Sequence, residues 1–150
     1  MTPSLTLVLD TNVVLDWLVF RDVTVQSLQA AVEQRRVTIV THTAAVDELR
    51  RVLAYPQCKL AAADQEALLD RYRTASRNAE LPTGFSLGNL LLPAGFPACR
   101  DPDDQHFLAL AYHIKADGLI TKDKQLLRLR RKAARFGVTV TSPREFSAKL

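Results

Sequence analysis

Short runs of leucine and β-branched residues recur along this chain, separated by stretches whose apolar residues repeat at helical spacing. That alternation restricts it to an α/β fold, a three-layer α/β/α arrangement around a central, mainly parallel twisted sheet. Leu5 to Leu9, Val37 to Val40, Gly118 to Thr121 and Val138 to Val140 read as strands. Val13 to Phe20 reads as a short helix, and Val23 to Arg36 as a longer one with Val25, Leu28, Ala31 and Val32 at helical spacing. Thr41-His42-Thr43 caps a helix running to about Ala54, whose apolar face carries Ala45, Val46, Leu49 and Leu53 and which stops before Pro56. Ala61 to Ala79 and Leu126 to Phe136 are further helices, and Leu90-Leu91-Leu92 reads as a short strand inside a segment punctuated by Pro and Gly. Helices between strands impose parallel pairing, so strand ends and helix starts collect at one edge of the sheet.

The length, 150 residues, suits one domain spanning 1–150, with an apolar core that needs neither disulfide nor structural metal. No apolar stretch approaches the roughly 20 residues that cross a bilayer, and the start, Met1-Thr2-Pro3-Ser4, lacks a basic signal-peptide region, so a cytoplasmic protein is expected. Cys58 and Cys99 show no metal-type spacing and need not pair. The formal charge of +4 is unevenly distributed. Lys122, Lys124, Arg128, Arg130, Arg131, Lys132 and Arg135 crowd one late segment, while Asp101, Asp103 and Asp104 form an acidic knot. A basic stretch beside an acidic pocket suits a polyanion held at its phosphates; the plainer reading is the solvated face of a helix.

The first strand ends directly on Asp10-Thr11-Asn12, placing a carboxylate at the carboxyl edge, where open α/β sheets gather ligands. Alone, Asp10 reads best as a helix cap. Asp101-Pro102-Asp103-Asp104 then marks a clear helix start, with Asp as cap, Pro at the first helical position and acids in the first turn. That helix turns Phe107, Leu108, Ala111 and Ile114 inward and ends near Ala116. Topology therefore delivers Asp10, Glu48, Asp104 and Asp123 to one edge. Each has a mundane reading as cap, dipole partner, surface acid or turn residue. As a group they repel one another, and such a cluster persists when cations neutralise it or function requires it. Oxygen ligands without His or Cys select hard cations, Mg²⁺ or Mn²⁺, and such ions in pairs hydrolyse phosphodiesters. His42, His106 and His113 show no joint ligand spacing and read as solvated or packing residues.

The ordered set Leu7-Val8-Leu9-Asp10-Thr11-Asn12, Asp47-Glu48-Leu49-Arg50-Arg51-Val52-Leu53, Cys99-Arg100-Asp101-Pro102-Asp103-Asp104 with Phe107-Leu108-Ala109-Leu110-Ala111, Ala116-Asp117-Gly118-Leu119-Ile120-Thr121-Lys122-Asp123 and Lys124-Gln125-Leu126-Leu127 resembles the PIN-domain ribonucleases. Within them it is similar to the VapC-like toxin components of bacterial toxin–antitoxin pairs. The resemblance implies a metal-dependent endoribonuclease acting on single-stranded RNA. In it Asp10 and Asp104 are principal metal ligands, Glu48 completes the site and Asp123 supports a second ion. It also implies polar helpers at Asn12 and Thr121, a small antitoxin as partner, and a homodimer. Lys124 and Arg128 are candidate phosphate contacts.

Two positions depart from the resemblance. Lys122 stands where relatives often have Gly, and Gln125 where they often have Asp. Lys122 either contacts substrate phosphate, the reading preferred here, or pairs with Asp123. Two competing functions carry weight, a structure-specific DNA nuclease of the flap or 5′-exonuclease kind and an inert PIN-like module that binds RNA or protein. The chain has neither the length nor the surplus acids of the first, and its intact acidic quartet argues against the second.

Overall fold

The computed structural model describes residues 4–80 and 92–149. Five strands, β1 (Leu5–Leu9), β2 (Val37–Thr41), β3 (Ser76–Asn78), β4 (Gly118–Ile120) and β5 (Val140–Thr141), form one sheet in the order β3-β2-β1-β4-β5. Every pairing is parallel. The chain winds outward from β1 through β2 to β3, then returns to the other side of β1 for β4 and β5. The order therefore reverses between β1 and β4, and a crevice opens there at the carboxyl edge.

The helices are α1 (Thr11–Leu15), α2 (Gln26–Glu33), α3 (Thr43–Leu53), α4 (Ala62–Ala75), α5 (Gln105–His113), α6 (Lys124–Leu127), α7 (Arg130–Ala134) and α8 (Pro143–Ser147). Side-chain alternation along β1 and β4 divides the core in two. Leu7, Leu9 and Ile120 join Val13, Leu18, Leu28, Leu49, Leu69 and Phe146 on one side of the sheet. Val8 and Leu119 join Phe107, Leu108, Leu110, Leu126 and Ala133 on the other. Both faces are covered, as a parallel sheet requires. The apolar face expected for α3 is buried as read, with Ala45, Val46, Leu49 and Leu53 all inside.

Several boundaries differ from the sequence reading. The first helix is one α-helical turn followed by a π-helical turn, Asp16–Phe20, and the second opens with a 3₁₀ turn, Val23–Val25. The expected helix to Ala79 stops at Ala75, and Ser76–Asn78 leaves it to add an edge strand. This strand is short and polar, so no apolar alternation marks it. The helix read as Leu126 to Phe136 is two, α6 and α7. The last strand is shifted to Val140–Thr141, and α5 ends at His113 rather than near Ala116. Of the run Leu90-Leu91-Leu92, the first two residues lie outside the described residues and Leu92 belongs to no regular element. Among the described residues no helix is long and apolar enough to cross a membrane.

Phe107 is 1% exposed and anchors the start of α5, which follows directly on Asp104, against the sheet. Truncation of such a side chain costs about 3–5 kcal/mol through lost burial and the void it leaves. Urea unfolding is expected to show a loss of that size for Phe107→Ala. Val23→Ser, at a residue 75% exposed, is expected to change stability by less than about 0.5 kcal/mol.

Candidate active site

Asp10 follows the last residue of β1, and its amide donates to the Ile120 carbonyl of β4 at 3.0 Å, which ties the turn to the neighbouring strand. The residue is 4% exposed. Its carboxylate does not cap α1, contrary to the simplest sequence reading. Instead Oδ2 accepts from the Thr121 hydroxyl at 2.7 Å, and the Asn12 amide exerts only a minor pull. Thr121 stands directly after β4, so the bond spans the crevice between the two strands. The same hydroxyl oxygen accepts from the Asp123 amide at 3.0 Å, so one Thr fixes the approach of two acids.

Glu48 reaches the crevice from α3. Its Oε2 accepts from the Thr11 hydroxyl at 3.1 Å and faces Nε2 of His106 at 3.4 Å. Nδ1 of His106 lies 2.9 Å from Nε2 of His42. With His106 directing its Nε2–H toward Glu48, its Nδ1 accepts from the His42 Nε2–H. Burial, reinforced by the neighbouring His106 ring, pushes His42 down to about 4, so it is neutral near pH 7. The neutral His42 ring thus backs His106 where that ring faces Glu48.

Asp123 caps α6, its Oδ1 accepting from the Gln125 amide at 2.8 Å. Asp101 caps the 3₁₀ turn Pro102–Asp104 by accepting from the Asp103 amide at 3.0 Å, and Asp103 is exposed. Asp104 makes no capping bond. Gln105 pins the preceding loop, accepting from the Cys99 amide and donating to the Pro97 carbonyl.

The electrostatics show that these acids share one space. Burial raises the Asp10 carboxyl above the ordinary range, the Thr121 hydroxyl resists, and the charges of Asp123 and Glu48 raise it further. Burial also pushes Asp104 up to about 6, with the charges of Asp10, Asp101, Asp123 and Glu48 adding to it. Cys99, beside them, is raised to about 12 by burial and by Asp104, Asp123, Asp101 and Asp10. Glu48 goes the other way: burial raises it, but the contacts from His106 and Thr11 outweigh that and leave it lowered. Asp123 lies on the wall of two adjoining clefts, one lined also by Asn12, Asp16 and Lys122, the other by Arg100, Asp104 and Gln125.

The structure thus gathers Asp10, Glu48, Asp104, Asp123 and Thr121, with Asn12 exposed at the rim. Lys122 does not pair with Asp123. Its Nζ lies 2.7 Å from Asp16 Oδ2 and 3.8 Å from Asp22 Oδ2. Lys124 and Arg128 are exposed on and beside α6. The sequence reading missed Thr11 and His106 as supports of Glu48; the placement of His106 just after Asp104 is the signal that was available. Among the described residues no three His, Cys, Asp or Glu side chains stand close enough to grip a single ion. Each of Asp10, Glu48 and Asp123 is held to its own hydrogen-bond partner while the negative charges repel. The donor set is nonetheless all carboxylate, and Asp10 and Asp104 are raised by burial and, after it, by the charges of neighbouring acids, a setting whose oxygen donors suit a hard divalent cation.

Residues 6–125 match the family model of the PIN domain. The chain belongs to the PIN-domain family. It is therefore a member of a nuclease family whose enzymes act on nucleic acids and typically use divalent metals. No curated protein and no solved structure matches it.

Because Asp104 is raised above its ordinary 3.8 to about 6, its ionised form is disfavoured in the fold. The penalty is full above about pH 6, shrinks as pH falls, and is gone near 4. In EDTA, Asp104→Asn is expected to melt higher than wild type at pH 7.5, with the difference vanishing by pH 4, as read by differential scanning calorimetry. A difference independent of pH would remove Asp104 from the charge cluster.

Proposed function

We propose that this PIN-domain protein is a metal-dependent endoribonuclease that cuts single-stranded RNA. What supports the reading is that Asp10, Glu48, Asp104 and Asp123, from four places in the chain, bear on one another's charge near the crevice between β1 and β4.

Asp10 and Asp104 are the principal residues to hold Mg²⁺, with Mn²⁺ as substitute, Glu48 completes the set and Asp123 supports a second ion. When bound, such ions make water a nucleophile at neutral pH and stabilise the departing oxygen of a phosphodiester. The chain's own groups prepare that site. Thr121 orients Asp10 and, through its oxygen, the Asp123 amide. Thr11 and His106 hold Glu48 ionised and directed. The ion pair of Lys122 with Asp16 keeps its ammonium off Asp123. Asn12 at the rim is placed to assist the attacking water. Lys124 and Arg128, exposed on and just after α6, would meet substrate phosphates, and Lys122, on the wall of one cleft, would join them on leaving Asp16. Unpaired strands suit this narrow acidic crevice better than a duplex.

The resemblance of the acidic motifs to VapC-like toxins supports a setting in a toxin–antitoxin pair. There the protein acts in the cytoplasm, as a homodimer, restrained by a small antitoxin encoded by a neighbouring reading frame.

Purified protein is expected to cleave end-labelled single-stranded RNA with Mn²⁺ or Mg²⁺ and to stop with EDTA. Loss of a principal ligand removes several kcal/mol of charge stabilisation, so Asp10→Asn and Asp104→Asn are expected to lower the rate by about a hundredfold or more while remaining folded by circular dichroism. Cleavage that survives both substitutions would place the chemistry elsewhere. RNA bound but uncut under any metal would favour a binding module.

Mg²⁺ is also expected to raise the melting temperature of wild type, because ions bind the folded site and not the open chain. Asp10→Asn is expected to lose most of that rise.

A further inference from the structure

Beside the acid cluster, the same edge of the sheet holds a second cavity that takes no part in the chemistry above. It lies where β2 and β3 end, between α3 and α4, with a volume of about 300 Å³ and walls that include Thr41, Thr43, Val46, Asp47, Arg73 and Asn78. That size is at the lower end for small-ligand sites.

Its position is fixed relative to the catalytic crevice. Thr41 and Asn78 are register partners at the last residues of their strands. The next residue, His42, bonds His106, which faces Glu48. Neighbouring strands lie about 4.8 Å apart, so the gap between β2 and β3 is roughly 10 Å along the edge from the gap between β1 and β4.

The Thr41 hydroxyl is an independent sign of a missing ligand. The residue is 3% exposed, and among the described residues its Oγ1 has no hydrogen-bond partner of full bonding geometry, although the Tyr72 hydroxyl interacts with it. Buried hydroxyls are ordinarily paired. A group seated in the cavity that Thr41 lines would supply the partner.

The lining also indicates what that group is. One arginine and one aspartate leave the cavity formally neutral, which disfavours a bare phosphate. Thr41, Thr43 and Asn78 both donate and accept, Asp47 accepts with the oxygen that Arg50 does not hold, and Val46 gives an apolar wall. Arg73 is half exposed, and its ion pair with Asp70 is long at 3.7 Å, so its guanidinium plane is available for stacking. A flat, neutral ring with mixed donors and acceptors on its edge fits this chemistry. Unpaired nucleobases are read in this way, by stacking on an arginine plane and by bonds to their edges.

We propose that this cavity is a subsite for one unpaired nucleobase of the RNA strand, next to the bond that is cut; the proposal rests on the ribonuclease reading. The subsite imposes a base preference at a fixed distance from the cleavage point. It also excludes duplex RNA, whose base edges are already paired.

The test sequences the cleavage products of a randomised single-stranded RNA pool. Wild type is expected to show enrichment of one base at one position near the cut. Asn78→Ala, on the exposed edge strand, and the near-isosteric Thr41→Val are each expected to flatten it about fivefold or more, the scale of a lost base contact. Uniform cleavage by wild type, or enrichment unchanged in both variants, overturns the subsite and leaves the ribonuclease reading standing. If wild type cuts no RNA, that reading fails, and ligand-observed NMR with AMP, CMP, GMP and UMP decides the subsite alone. Selective binding of one nucleotide, lost in Asn78→Ala, supports it; equal or no binding of all four overturns it.

Discussion

β1 hydrogen-bonds to two parallel neighbours, β2 on one side and β4 on the other, and everything functional in the molecule depends on that double pairing. Leu7 is in register with Ile39 of β2 and with Gly118 of β4, so the ends of the three strands come level. Gly118 has little room for a larger residue, because an added Cβ would come within 3.3 Å of Leu7. Level strand ends bring Asp10, Thr121 and His42 to one edge although they are far apart in the chain. α3 and α5 begin at that edge and add Glu48 and Asp104.

Their convergence creates an electrostatic conflict that the surrounding groups contain but do not cancel. Thr121 favours the ionised Asp10, and Thr11 with His106 favours ionised Glu48. Asp123 gains the amide of Gln125. Among the described residues Asp104 has no such partner, and it is the acid raised to about 6. Hydrogen bonding thus separates Glu48, which is lowered, from Asp104, which is raised. Asp10 and Asp104 are the two that are raised, by burial first and by their neighbours' charges second.

The sequence carried the outline of this arrangement and lost its details for identifiable reasons. Strands rich in leucine and β-branched residues and mostly buried, such as Leu5–Leu9 and Val37–Thr41, were readable. So was the Asp101-Pro102 start, whose cap forms as expected. The edge strand Ser76–Asn78 was not, because a polar edge strand has no apolar period. The break between α6 and α7 lies within a run rich in helix formers, where pairing with the rest of the fold overrides propensity. For the acids, types and positions were legible but partners were not. Nothing local links Thr121 to Asp10 or His106 to Glu48, since those bonds exist only once the sheet has formed.

Lys122 shows how an unusual residue is accommodated at such a site. A lysine next to Asp123 would be expected to neutralise the nearest acid, and among the described residues the closest carboxylate is instead Asp16, on the π-helical turn. That turn places Asp16 on the wall of the cleft and, just past the turn, Asp22 also within reach of the lysine. Asp22 is itself committed to the amide and hydroxyl of Thr24, so its geometry is set before the lysine arrives. Two acids with no place in the quartet therefore draw the ammonium aside, and the central carboxylates keep their unbalanced charge. A fold selected only for stability would place that lysine among the repelling acids. Its diversion is consistent with a crevice kept negative for a cation that the chain itself does not supply.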